Sequence, residues 1–148
     1  MILNEYETIY VARPDLTDDV MQKITARYEQ VVTDNKGTLL VSEDWGKRKL
    51  AYLIRKHQRG HYIYLNYVGP SSIVAEMERN LGLEDDLLRF LTVKLEDDVE
   101  IEQRRLLAEE RKRLRIERMA ALKAEEEAEA RYRAEAEDED EVLPEADE

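Results

Sequence analysis

Apolar and polar positions along the first 96 residues follow two periods, and each change of period marks a new element. "YETIYVA" (Tyr6–Ala12) is dense in β-branched and aromatic residues and predicts a strand that ends before Pro14. Leu16, Val20, Ile24, Tyr28 and Val31 then recur at helical spacing. Asp15 or Thr17 is placed to cap that helix, Asp18 and Asp19 complement its dipole, and Gly37 stands where a left-handed residue is expected. "TLLVSEDWGKRKLAYLIR" predicts a long strand, kinked at Trp45-Gly46 because an interior glycine marks a bulge. "KHQRG" reads as a turn and "HYIYLNYV" as the returning strand. After Gly69-Pro70, "SSIVAEMERNLG" predicts a second helix capped by Ser71 or Ser72, with Ile73, Met77 and Leu81 buried and Gly82 as the stop. A last strand is expected around Leu88–Leu95.

The order β-α-β-β-α-β is the ferredoxin-like arrangement, an α+β fold. Right-handed crossovers put both helices on one face of a four-stranded antiparallel sheet. The other face has no cover and should be polar. Yet "TIYVA" and "YIYLNYV" carry apolar or aromatic residues at consecutive positions, hence on both faces. Such an open face predicts a partner surface.

Beyond Glu96 the pattern changes again. "VEIEQRRLLAEERKRLRIERMAALKAEEEAEARYRAEAE" lacks Gly and Pro and consists mainly of strong helix formers. Leu107, Leu114, Ala121 and Ala128 form one heptad row without a second, so a coiled coil is not expected. The reading is a solvent-exposed single helix supported by the pairs Glu109–Arg113, Glu127–Arg131 and Glu129–Arg133. Arg104–Arg118 holds seven bases against three acids, and Glu125–Glu148 two bases against thirteen acids. The final "EDEDEVLPEADE" is expected to be disordered. Three segments result: a domain over 1–96, a charged helix over 97–135 and an acidic tail over 136–148.

Composition sharpens this division. The formal net charge is −12, but residues 1–96 carry 13 bases and 15 acids, whereas 97–148 carry 10 and 20. The body is nearly neutral, and the acid belongs to the extension. Without cysteine there is no disulfide, thiolate zinc site or Cys nucleophile. No signal-peptide pattern opens the chain and no window approaches a membrane span, so a cytoplasmic protein without a membrane partner is expected. There is no GxGxxG or P-loop pattern. His57 and His61 flank the expected turn and read as two polar hairpin residues rather than a metal site. Ser42, Ser71 and Ser72 have no base nearby, and Asp85 and Asp86 read as a solvated loop. Catalysis, a cofactor, a metal and a small-molecule substrate are all unexpected.

The remaining chemistry is basic. From Trp45 to Ala75 there is no acid, while Lys47, Arg48, Lys49, Arg55, Lys56 and Arg59 are all cationic. Interleaved with Trp45, Tyr52 and Tyr62, they suit phosphates and the flat faces of bases. On composition alone, a solvated hairpin protected from edge pairing is an equally good reading. The acidic extension argues for a local, geometrically defined nucleic-acid contact.

"WGKRKLAY" (Trp45–Tyr52), followed by a short basic turn and "GHY" (Gly60–Tyr62), resembles the family of bacterial small-ribosomal-subunit protein six. "YETIYVARPDL" and "LLRFLTVKL" resemble that family in the same order, and the likeness spans about Asn4–Leu95. It implies a ferredoxin-like fold without catalytic activity. It also implies a place on the ribosome, where the protein binds the central domain of 16S rRNA in the platform together with small-subunit protein eighteen. The motif places Arg48 on RNA. Charge and expected exposure add Lys56, Arg59 and Arg89, with Lys47, Lys49, Arg55 and Lys94 in reserve. Strand alternation sends Arg48 to the face opposite Lys47 and Lys49.

Two other readings share the strand–helix order. In an RNA-recognition motif, Arg59-Gly60 opens the third-strand signature, but Tyr62 stands where a small residue belongs. A small-molecule-sensing or enzymatic domain needs a polar pocket, for which no cluster of His, Cys or paired acids is present.

Overall fold

The computed structural model describes residues 1–141. It forms two compact units, Met1–Ala108 and a second that begins at Glu109. The elements are β1 (Asn4–Ala12), α1 (Asp18–Asp34), β2 (Thr38–Ile54), β3 (His57–Gly69), α2 (Ser72–Leu83), β4 (Leu87–Glu96) and α3 (Ile101–Glu141). The four strands form one antiparallel sheet in the order β2-β3-β1-β4, the expected ferredoxin-like topology.

Local chemistry explains most of the boundaries. Thr17 caps α1, its hydroxyl accepting from the Val20 amide at 3.4 Å, with Asp18 and Asp19 in the first turn. At the other end Lys36, not Gly37, takes the left-handed conformation (φ 61°). Gly37 is required for space: a Cβ there would lie 2.6 Å from Ile73 Cδ1 and 2.7 Å from the Val32 carbonyl oxygen. Ser71 occupies the N-cap of α2 without a side-chain bond to it. Gly82, expected to stop this helix, lies inside it, and the C-cap is Glu84. Ile73, Met77 and Leu81 are buried, as their spacing predicts.

The hairpin departs from expectation in its turn. "KHQRG" is not the turn; β3 already begins at His57, and Arg55 and Lys56 make a two-residue connection with φ of 47° and 68°. Positive φ at both central residues matches the twist of a tight hairpin, although Asn-Gly is the usual sequence for it. The kink at Trp45-Gly46 is present: the register shifts between Asp44 and Gly46, and Gly46 has φ 78°.

The main core lies between the sheet and the two helices α1 and α2. Tyr6, Tyr10 and Ala12 of β1 and Ile63, Leu65 and Tyr67 of β3 meet Met21, Ile24, Tyr28, Val32, Ile73, Met77 and Leu81. Two aromatic rings carry polar tips into it. Tyr10 donates to Thr25 Oγ1 at 3.2 Å, the Tyr67 hydroxyl bonds Thr8 Oγ1 at 2.8 Å, and Thr8 Oγ1 also bonds Thr92 Oγ1 at 2.9 Å. Tyr28 packs on Tyr10 with centroids 5.1 Å apart. Burial pushes the phenols of Tyr10, Tyr28, Tyr64 and Tyr67 upward, Tyr28 to about 12; a bond to the Glu7 carboxylate adds to the shift at Tyr64. A phenol near pH 10 when unfolded but higher when folded contributes stability below about pH 10 and loses it as pH rises through the folded value. Circular dichroism should therefore show unfolding set in above about pH 10, with the phenolate absorbance of these four tyrosines appearing only alongside it. Ionisation of all the tyrosines with the fold intact would contradict this account.

The body extends past β4. The Val99 amide donates to the Leu3 carbonyl at 2.8 Å and the Asp98 amide to Asn4 Oδ1 at 3.0 Å. Arg104, in the first turn of α3, lies 3.7 Å from the buried carboxylate of Glu5. The helix starts at Ile101 and continues through 136–141, past the end expected at 135; residues 142–148 of the expected disordered tail lie outside the described residues.

Candidate nucleic-acid interface

The sheet face turned away from α1 and α2 is not uniformly bare. Near the hairpin end, Val11, Leu50 and Leu88 form a second small apolar cluster, with Ile54 and Tyr62 packed against it. Gly60 makes this possible, because a Cβ there would fall well inside contact distance of Val11 Cγ1. Further along, Trp45 stacks on Tyr64 with centroids 5.0 Å apart and planes 8° from parallel. Glu43 accepts from Trp45 Nε1 at 2.9 Å, and Glu7 accepts from the Tyr64 hydroxyl at 3.0 Å. Ile9 stands between Tyr64 and Leu91 in the register, and Leu91, Val93 and Leu95 are exposed. An apolar band thus crosses the sheet from Trp45 to Leu91. Sequence reasoning found the aromatic part of this band but missed the β4 residues, whose signal was the alternation within "LLRFLTVKL".

The basic residues divide over two sides of the hairpin. Arg48 is opposite Gly60 and lies on the open side, its guanidinium 5.3 Å from the Trp45 ring centroid and 6.0 Å from that of Tyr62. Its Nε donates to the Trp45 carbonyl at 3.3 Å. These contacts hold the guanidinium over a flat aromatic surface. Arg89, opposite Val11, is on the same side; it donates to the Tyr52 hydroxyl at 2.6 Å and sits 5.9 Å from that ring. Tyr52 is 61% exposed. Arg55 and Lys56 form the tip, with Arg55 donating to the Asp85 carbonyl at 3.2 Å.

Lys47, Lys49 and Arg59 lie on the other side. Lys47 is opposite His61 and Lys49 opposite Arg59, whose guanidinium donates to the Lys47 carbonyl at 3.3 Å. Lys94 is remote from the hairpin, opposite Tyr6 on the helix-covered side, and holds Asp97 at 2.9 Å. Among the described residues it is the one member of the eight expected contacts that carries an ion pair. The other seven make no ion pair among the described residues.

The histidines separate in role. His61 is not a solvated hairpin residue: it is buried in β3 and bonds Asp44 Oδ1 through Nε2 at 2.6 Å. No group of three or more metal-ligating side chains exists among the described residues. A cavity of about 400 Å³ between α1 and β2 is lined by Met21, Thr25, Glu29, Ser42, Asp44 and Ile63, with Ser42 Oγ donating to Glu29 at 2.6 Å. No helix among the described residues is long and apolar enough to cross a membrane.

Comparison with known proteins bears on the family and the fold. The family profile described as Ribosomal protein S6 matches residues 5–94, all but the outermost residues of the sheet, with α1 and α2. The small ribosomal subunit protein bS6 of Trichlorobacter lovleyi is 45% identical over 98 residues, covering 66% of this chain and 80% of that protein. Its counterpart in Syntrophobacter fumaroxidans is 42% identical over 108 residues, covering 72% of this chain and 74% of the other. The crystal structure of 30S ribosomal protein S6 from Thermotoga maritima superimposes with a TM-score of 0.61 at 21% identity, covering 63% of this chain and 88% of that one. At that identity the superposition speaks for the fold, while the match over residues 5–94 speaks for descent: this chain belongs to the ribosomal protein S6 family of the small ribosomal subunit.

Proposed function

We propose that this chain is a structural, non-enzymatic component of the small ribosomal subunit that binds 16S rRNA through its basic hairpin, together with small-subunit protein eighteen. The observation that carries this reading is the set of seven cations, without an ion pair among the described residues, on and beside one hairpin of a family member: Arg48, Lys56, Arg59 and Arg89, with Lys47, Lys49 and Arg55. Exposed cations clustered on one hairpin suit a phosphate backbone, and among them Arg48 is held beside the Trp45–Tyr64 stack. Lys94, already paired with Asp97, contributes least. The apolar band from Trp45 to Leu91 supplies a surface for the partner protein. In this reading the domain over 1–96 does the binding and 97–148 is an extension.

The geometry also weakens the RNA-recognition-motif reading. Such a motif needs free aromatic faces on its central strands. Here Trp45 covers Tyr64, and Arg48 lies over Tyr62. The test is partner dependence. A central-domain fragment of 16S rRNA should be retained by this chain only when small-subunit protein eighteen is present. Equally tight retention by the chain alone would transfer support to a stand-alone RNA binder.

A further inference from the structure

One end of the open sheet face is closed without help from either apolar cluster. Alternation along β1 and β3 puts Glu5 and Val68 on that face, opposite each other in the register. Both are buried, as is Asn66 beside them, and Val68 is only 1% exposed. Yet Val68 belongs neither to the helix-side core nor to the cluster around Leu50. Farther along the same face Leu91 is 61% exposed. Some other part of the chain must lie over Glu5 and Val68. Residues 97–108 are placed to do so. The chain leaves β4 at Glu96, which pairs with Glu5, and turns back at Asp98, a left-handed residue with φ 49°. The Asp98 amide donates to Asn4 Oδ1, Asn4 Nδ2 donates in turn to the Tyr6 hydroxyl at 3.1 Å, and the Val99 amide donates to the Leu3 carbonyl. The turn is thus fastened to the start of β1. Arg104 then lies 3.7 Å from the Glu5 carboxylate, which brings the first turn of α3 over the face that Glu5 occupies. Val99 and Ala108 are buried, and the compact unit that contains the sheet runs to Ala108.

A carboxylate taken out of water needs a cation beside it. Among the ion pairs of the described residues Glu5 has Arg104, whose own side chain is largely covered. The burial of Glu5 is therefore tied to the position of the first turns of α3. We propose that residues 97–108 form a strap over the open face, latched by Arg104 on Glu5. The strap takes the Glu5–Val68 end for the chain itself and leaves the Trp45–Leu91 band to a partner. It lies outside the segment that the family profile matches, which ends at residue 94. Its effect on the partner rests on the ribosomal reading given above, whereas the strap itself does not.

The chain has no cysteine, so single cysteines introduced into the full chain report access without background. Val68→Cys should react with dithionitrobenzoate at least about a hundredfold more slowly than Leu91→Cys, because a covered thiol reacts only when its cover opens. Adding Arg104→Glu sets a second carboxylate against Glu5 and should speed the Val68→Cys reaction by at least about tenfold. Leu65→Cys, buried on the helix side, should stay slow, which distinguishes release of the strap from unfolding of the body. Should Arg104→Glu unfold the body, Arg104→Gln removes the latch without adding charge and carries the same expectation. Equal rates at positions 68 and 91 overturn the proposal, as does a Val68→Cys rate unmoved by loss of Arg104 in a folded body. Small-subunit protein eighteen should protect Leu91→Cys while the Val99 amide keeps its slow hydrogen exchange. Loss of that slow exchange on binding means that the partner displaces the strap, and overturns the division of the face. If protein eighteen leaves Leu91→Cys unprotected, the partner reading falls and the strap stands.

Discussion

Arg48→Glu is expected to leave the body folded while reducing retention on the small subunit by about a hundredfold. Arg48 is exposed, so losing its stacking over Trp45 and Tyr62 costs stability only about 0.5–1 kcal/mol. A charge-assisted hydrogen bond to phosphate is worth about 1.5–3 kcal/mol, and each 1.4 kcal/mol is tenfold in affinity. Reversal adds repulsion to that loss. Arg48→Lys discriminates between charge and shape: it keeps the cation but loses the planar fork held against the indole, so an intermediate loss is expected. Quantitative co-sedimentation with salt-washed subunits reads the first effect and a thermal melt reads the second. Normal retention of Arg48→Glu would take this residue out of the RNA contact.

The largest stability effect is expected at Tyr67. The residue is fully buried on a central strand, 6.0 Å from the Tyr6 ring and bonded to Thr8. Tyr67→Ala removes the ring from the middle of the core and should cost about 3–5 kcal/mol. For a body of this size that lowers the melting temperature by more than about 12 °C. Tyr67→Phe keeps the ring, and Thr8 retains Thr92 as a partner, so a loss of only about 0.5–1.5 kcal/mol is expected. Thermal melts of the two variants compare packing with hydrogen bonding directly. If Phe proves as damaging as Ala, the threonine–tyrosine network outweighs the packed ring.

The fold was legible because periodicity and composition agree in every element of the body. Leu16 to Val31 repeats at one helical face, and the strands concentrate β-branched and aromatic residues. What escaped was set by tertiary space rather than local preference. Arg55-Lys56 carries none of the usual chemistry of a two-residue turn. The strands around it are held by packing of Leu50 and Ile54 on Val11, between residues far apart in sequence. Gly37 looked like a helix cap, yet its role is to admit Ile73, and Lys36 takes the left-handed position. Gly82 inside α2 shows that one glycine does not end a helix whose apolar face is already buried. At the candidate site, charge counting located the cations, and strand alternation correctly placed Arg48 opposite Lys47 and Lys49. Counting could not show that Lys94 is paired, that His61 is buried against Asp44, or that Arg89 reaches Tyr52 from another strand.

The two apolar clusters on opposite faces of the sheet divide the body into regions of unequal local stability. The larger ties both helices to the strands, whereas the end of the hairpin is anchored through the smaller cluster of Val11, Leu50 and Leu88, with Ile54 and Tyr62, and through the bonds of Arg55 to Asp85 and Arg89 to Tyr52. Local opening scales with the apolar surface it exposes, so the outer hairpin can detach in subglobal excursions that leave the main core intact. Its backbone amides then exchange with solvent faster than those of the same strands farther in. If the hairpin binds rRNA as proposed, those excursions would let it seat on an irregular polyanionic surface without the rest of the domain deforming.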